Sequence, residues 1–244
     1  MIENNVILNT YLFNLLVMTM KTALVTGANR GIGLELTRQL LDDGYTVHST
    51  YRSSKGGLEE INHHSLSIHQ MDVRNQEQII SVINAIDGPL DLLINNAGVA
   101  DGRWQSISEI DMKHALEVLN INAVAPVLVT QQALPLLKKC NESTIVMVSS
   151  LMGSISDCLS GRSYAYRASK TALNMFAMSM KNELQSIGSS ILILHPGWVE
   201  TDMGGPDAPL SVKQSVDGIM QRISEQTLTH SGRFVQFDGT PVEW

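Results

Sequence analysis

Three glycines within seven residues, set between a strand and a helix, constrain this chain more than any other feature. Thr22–Thr26 is a short apolar run of β character, and Thr26-Gly27-Ala28-Asn29-Arg30-Gly31-Ile32-Gly33 follows it. A helical pattern then opens. Ile32, Leu36 and Leu40 share one face to about Leu41, and Gly44 stops the helix. Tyr45–Tyr51 reads as the next strand. Strand, tight turn, helix and strand pack as a crossover between parallel neighbours.

Such a turn suits a dinucleotide. Gly27 permits the tight bend, Gly31 lets the backbone approach a pyrophosphate on the helix N-terminus, and Gly33 lets helix pack closely on strand. Three residues separate the first two glycines rather than one, a departure from the GxGxxG fingerprint. Asn29, Arg30 and Ile32 complete the candidate cradle. At the end of the second strand an acid would bind a ribose 2′-hydroxyl. The residues there are Thr50, Tyr51, Arg52 and Ser53. Arg52, with Arg30 within reach, offers a cation for a 2′-phosphate, which points to NADP(H) over NAD(H).

The remaining chain keeps the alternation. Ser65–Met71 is a strand, followed by Asp72-Val73, where a side chain meets an adenine ring. Asn75–Ile86 is helical, and the apolar strand Asp91–Ile94 ends in Asn95-Asn96-Ala97-Gly98. Small residues and amides at a strand's carboxyl end suit a ligand crevice. Helices are expected over Ile107–Ile121 and Val127–Lys139, with Asn122-Ala123-Val124-Ala125-Pro126 between them. Asn122 interrupts an apolar stretch, so it must be hydrogen-bonded, as a structural bridge or as part of a proton path. Thr144–Val148 is a strand closed by Ser149-Ser150, Leu151–Arg162 a loop, and Arg162–Ser186 a long helix. Ile191–Leu194 leads into His195-Pro196-Gly197-Trp198-Val199-Glu200-Thr201, then a lid-like stretch from Met203 to about Gln214. Helix Ser211–Ser224 and strand Arg233–Phe237 finish the chain. This order means an α/β fold, a parallel sheet covered on both faces.

Tyr166 and Lys170 stand four apart on the long helix and so share a face. A free phenol titrates near pH ~10, and a fixed ammonium beside it favours the phenolate. Tyr166 is thereby a candidate general acid and base at a carbonyl or alcohol oxygen.

Composition excludes other classes. A net charge of -7 with scattered cations gives no nucleic-acid footprint. Cys140 and Cys158 form no disulfide framework or zinc spacing, which fits a reducing compartment, and no metal site is expected. His63, His64 and His69 read as a surface loop. Residues 1–20 read as a leader outside the fold or an upstream start, with a membrane-touching or partner-binding tail as the alternative. Tyr11–Met18 is too short to span a bilayer and lacks a signal's flanks, so neither stable membrane insertion nor secretion is expected.

With these motifs in hand, residues from Lys21 to Trp244 resemble the short-chain dehydrogenase/reductase family. The loop Thr26–Gly33, the amides Asn95–Gly98, the Tyr166–Lys170 pair and Pro196-Gly197 leading to Thr201 stand in family order. The Tyr-x-Tyr-Arg-Ala-Ser-Lys stretch and the ending Phe237-Asp238-Gly239-Thr240-Pro241 are similar to its C-factor-like and sniffer-like carbonyl reductases. The resemblance implies a single-domain Rossmann fold, a doubly wound seven-stranded parallel sheet, and hydride transfer between a nicotinamide and a carbonyl or alcohol. It implies Tyr166 as proton donor, Lys170 as its partner and ribose contact, and Asn122 (alternatively Asn120) as anchor of a water relay. Asn96, Ala97, Gly98, Pro196, Gly197, Val199 and Thr201 fall at cofactor-binding positions. The family's serine stands thirteen before the tyrosine, where this chain has Gly153; Ser150 replaces it if the loop carries three extra residues, and Ser149 is the alternative on the opposite strand face. A cytoplasmic homodimer or homotetramer follows, paired through Val127–Lys139 and Arg162–Ser186. The rival reading is a dinucleotide-binding redox-sensing or signalling protein with little turnover.

Overall fold

The computed structural model describes residues 20–102 and 106–244; nearly all of the expected leader lies outside the described residues. Seven strands form one sheet: β1 (Thr22–Val25), β2 (Thr46–Tyr51), β3 (Leu66–Gln70), β4 (Leu92–Asn95), β5 (Ser143–Val148), β6 (Ser189–His195) and β7 (Arg233–Gln236). Their order is β3-β2-β1-β4-β5-β6-β7, and all six neighbour pairings are parallel. The chain winds outward from β1 in one direction and from β4 in the other. The β1/β4 boundary is therefore the topological switch point, where a crevice opens beyond the strand ends.

Six helices cover the two faces: α1 (Gly31–Asp42), α2 (Gln76–Asn84), α3 (Met112–Leu119), α4 (Ala125–Leu137), α5 (Tyr164–Gln185) and α6 (Val212–Ser224). The central strands are apolar on both sides because helices lie on both sides. Leu24, Leu93, Ile145 and Ile193 pack with Ile79, Ala133 and Leu173, under α2, α4 and α5. Ala23, Val25, Ile94 and Leu192 pack with Leu36, Leu40, Val216 and Ile219, under α1 and α6. Caps match the sequence: Asn75 accepts from the Gln78 amide, and Ser211 forms a capping box with Gln214.

Three local expectations change. The helix expected from Ile107 starts at Met112, because Asp111 caps it by accepting from Lys113 N and His114 N; Ile107 is exposed outside it. The two helices expected on either side of Asn122–Pro126 are joined. A π turn over Asn120–Val124 joins α3 to α4 in one continuous helical run. Pro126 follows closely on the π turn, and having no N–H to donate into a regular ladder it fits the wider turn before it. His69 lies in β3 rather than in a loop, and its Nε2 is 3.0 Å from Nδ1 of His48 on β2. The stretch after β6 is closed at its base by a bridge between Val199 and Leu210.

The His48–His69 pair makes the fold acid-sensitive. Burial, then the facing His69, lowers the His48 pKa from 6.5 to about 4. The folded state then binds fewer protons than the unfolded chain between these values, so stability is full above pH 6.5 and falls as pH drops toward 4. H48Q should flatten this limb in urea unfolding curves taken across that range; an unchanged slope would exclude His48 as its source.

Candidate active site at the carboxyl edge of the sheet

The glycine turn leaves β1 under tight control. Thr26 Oγ1 accepts from the amides of Asn96 and Ala97, both at 3.0 Å. The Asn96 side chain donates to the carbonyls of Thr26 and Gly27 at 3.0 and 2.9 Å. Asn96, expected at the dinucleotide, thus spends its amide hydrogens holding the turn. Gly27 has φ +64°, and a Cβ there would lie 2.8 Å from Ala97 Cα. A Cβ on Gly33 would enter the Gly27 carbonyl and stand 2.6 Å from Asn96 Nδ2. Gly31, at φ +53°, turns its bare side to Thr201 Cγ2, 3.2 Å from where a Cβ would be.

Beyond the turn, α1 opens with no side-chain cap and no acid in its first turn. Its first amides are therefore directed at an anion-binding position, which a pyrophosphate fits. Asn29 lends its carbonyl to the Gly57 amide, and Ile32 packs into the core. Arg52 is exposed at the end of β2. Arg30 is not simply solvated: its guanidinium pairs with Asp202, joining the glycine turn to the segment after β6. Asp72 is engaged by Arg74, whose hydrogen bonds hold its carboxyl below the usual range, and Val73 packs against the core.

The second cluster lies against the first. The Ser150 hydroxyl lies near enough to Tyr166 to draw its pKa downward. Ser150 Oγ also accepts from Met152 N, capping a short 3-10 turn, Leu151–Gly153, where a plain loop was expected. Ser149 points the other way and donates to Asn174 Oδ1 at 2.6 Å. Gly153 packs on α5, and a Cβ there would stand 2.9 Å from Lys170 Cβ, so no hydroxyl side chain fits at that position. Lys170 Nζ donates to the Val148 carbonyl at 2.8 Å and sits 5.7 Å from the Tyr166 ring centroid. A Cβ on Gly98 would lie 3.7 Å from Lys170 Nζ and 3.3 Å from Asn122 Oδ1. Asn122 donates to the Val99 carbonyl and Ser169 Oγ and accepts from Val99 N. Both amide hydrogens are committed to a structural bridge.

The electrostatics differ from the sequence expectation. Burial raises the Tyr166 pKa above 10.0, the Ser150 hydroxyl pulls it back, and the charge of Asp101 adds to the rise. Burial lowers Lys170 from 10.5 to about 8. The ammonium approaches the phenol ring and a carbonyl rather than the phenol oxygen, so its pull on the proton is weak in this state.

Pro196 accepts from Ser215 Oγ at 2.6 Å, and Gly197 takes φ +87° against Leu210 and Phe237. Val199 is buried, and Thr201 Oγ1 accepts from the Gly204 amide at 3.1 Å. Three participants carried no sequence signal: Asp101, which accepts from Tyr166 N at 3.0 Å, Ser169 and Asn174. Their partners are 65, 47 and 25 residues away, beyond any local pattern. A cavity of about 290 Å³ bordered by Tyr45, Asp91, Thr144 and Ser190 lies at the opposite, amino edge and includes none of the candidate residues.

A sequence profile for short chain dehydrogenases matches residues 21–209. The C-signal of Myxococcus xanthus is 44% identical over 161 residues, 66% of this chain and 96% of that protein. Among solved structures, carbonyl reductase Sniffer of D. melanogaster superposes with a TM-score of 0.88 at 36% identity, covering 92% of this chain and 100% of that one. An NADPH-bound carbonyl reductase from chicken fatty liver gives 0.86 at 34%, covering 92% and 99%.

The glycine packing generates a direct test. G33A forces a methyl into the Gly27 carbonyl and should destabilise the protein by about 1–3 kcal/mol. Urea unfolding at wild-type stability would show that the turn tolerates the group.

Proposed function

The chain belongs to the short-chain dehydrogenase/reductase family, and on that premise we propose that it is an NADP(H)-dependent reductase of aldehydes or ketones. One observation carries the reading: Tyr166, Ser150 and Lys170 gather at one place, with Lys170 Nζ 5.7 Å from the Tyr166 ring centroid and Gly98 of the candidate dinucleotide crevice beside it. The bound nicotinamide supplies the hydride. Ser150 and Tyr166 hold the substrate oxygen, and Tyr166 gives it a proton as charge develops there. Lys170, with a pKa of about 8, carries its proton at neutral pH and can pass it on. The proton path continues to a water on the Asn122 carbonyl, in the π turn.

The chain's own residues support the cofactor assignment. The uncapped start of α1 and the bends at Gly27 and Gly31 seat the pyrophosphate. Ala97 and Gly98 line the crevice floor, Asp72 and Val73 flank the adenine, and Pro196, Gly197, Val199 and Thr201 border the nicotinamide. Arg52, exposed at the end of β2, meets the 2′-phosphate; Arg30 joins it by leaving Asp202. We further propose a homo-oligomer paired through α4 and α5, where Met175 and Phe176 are exposed on α5. The name of the M. xanthus relative favours one rival, a signalling protein that binds the dinucleotide with little turnover.

NADPH absorbance followed against a panel of aldehydes and ketones decides between them. Y166F should lower kcat by about 100-fold or more while NADPH still binds; retained turnover would reject Tyr166 as the donor. Binding without consumption by the wild type would favour the signalling reading. R52A should weaken NADPH about tenfold or more and leave NADH nearly unchanged, by the strength of a charged hydrogen bond. An equal effect on both would overturn the cofactor preference.

A further inference from the structure

We propose that Asp101 is a positioning residue for Tyr166: its carboxylate replaces the missing cap of α5 and ties the helix's first turn to the loop after β4, so that the phenol stays at Ser150. Helix α5 begins at Tyr164, and Ser163 occupies the position whose side chain ordinarily accepts from the helix's third amide, that of Tyr166. Ser163 fails to do so. Its backbone is left-handed, at φ 47° and ψ 49°, following Arg162 at φ 61°, and it makes no side-chain cap. Asp101 Oδ2 takes that amide instead, at 3.0 Å, from 65 residues away.

Asp101 is only 1% exposed. A buried carboxylate is costly without hydrogen bonds, and the positive end of a helix offsets that cost. Among the described residues, the charged groups acting on Tyr166 are Asp101, from the loop after β4, and Lys170, from α5 itself; the Ser150 hydroxyl, at the end of β5, acts on the phenol from the other side of the site. The negative charge of Asp101 opposes loss of the phenol proton and keeps Tyr166 in its donating form.

The inference deepens the proposed proton-donor role of Tyr166 and rests on it, and its test separates the two. D101N keeps an acceptor and removes the charge; D101A removes both. Amide exchange at Tyr166 should quicken at least tenfold in D101A and stay within threefold of wild type in D101N. With the carbonyl reduced best by the wild type, kcat should fall at least tenfold in D101A at unchanged NADPH affinity, and D101N should recover most of it. The Tyr166 phenolate titration, read by ultraviolet difference against Y166F, should shift to lower pH in D101N. Wild-type exchange and kcat in D101A, or an unmoved midpoint in D101N, would overturn the assignment. Should the wild type reduce no carbonyl, the proposed function fails, while exchange and titration still decide Asp101.

Discussion

The close approach of the glycine turn to the end of β4 sets the position of everything else in the site. Gly27 lies where a Cβ would meet Ala97 Cα at 2.8 Å, and Asn96 grips the carbonyls of Thr26 and Gly27. No larger residue fits that contact. It locks β1 to β4 at the point where the chain changes direction across the sheet, and so opens the crevice at a defined width. One residue further on, Gly98 borders both Lys170 and Asn122. The glycine turn and the Tyr166–Lys170–Asn122 cluster are therefore two sides of one four-residue strip, Asn95–Gly98.

Around that strip the molecule buries polar groups that would be costly singly and connects them. Lys170 donates to Val148, Ser169 links Asn122 to the Tyr166 carbonyl, and Asn174 holds Ser149 away from the crevice. Each bond orients a neighbour that itself bonds onward, so the cluster behaves as a unit. Burial holds the phenol protonated and depresses the lysine to about 8.

The π turn at Asn120–Val124 has a similar logic. A regular helix would leave Asn122 as an internal amide in an apolar run. The wider turn lets its side chain bridge Val99 to Ser169 while Pro126 begins the next helical segment without an unmet N–H. Read from letters, the stretch gave two helices with Asn122 in an apolar helical run, and no local signal marked the π turn.

Local chemistry was enough to determine the strand–helix alternation, the glycine turn, the four-residue spacing of Tyr166 and Lys170, and the absence of an acid after β2. Strand and helix periodicity, turn residues and side-chain type all act within a few residues, so they are written directly in the order of the chain. The choice of Ser150 for the Tyr166 contact, the bridge made by Asn122, the Arg30–Asp202 pair and the carboxylate of Asp101 at the start of α5 were decided only on folding. Each joins residues that the sheet's crossovers bring together from distant parts of the chain, and burial then sets their charge states. Distance along the chain carries no record of either.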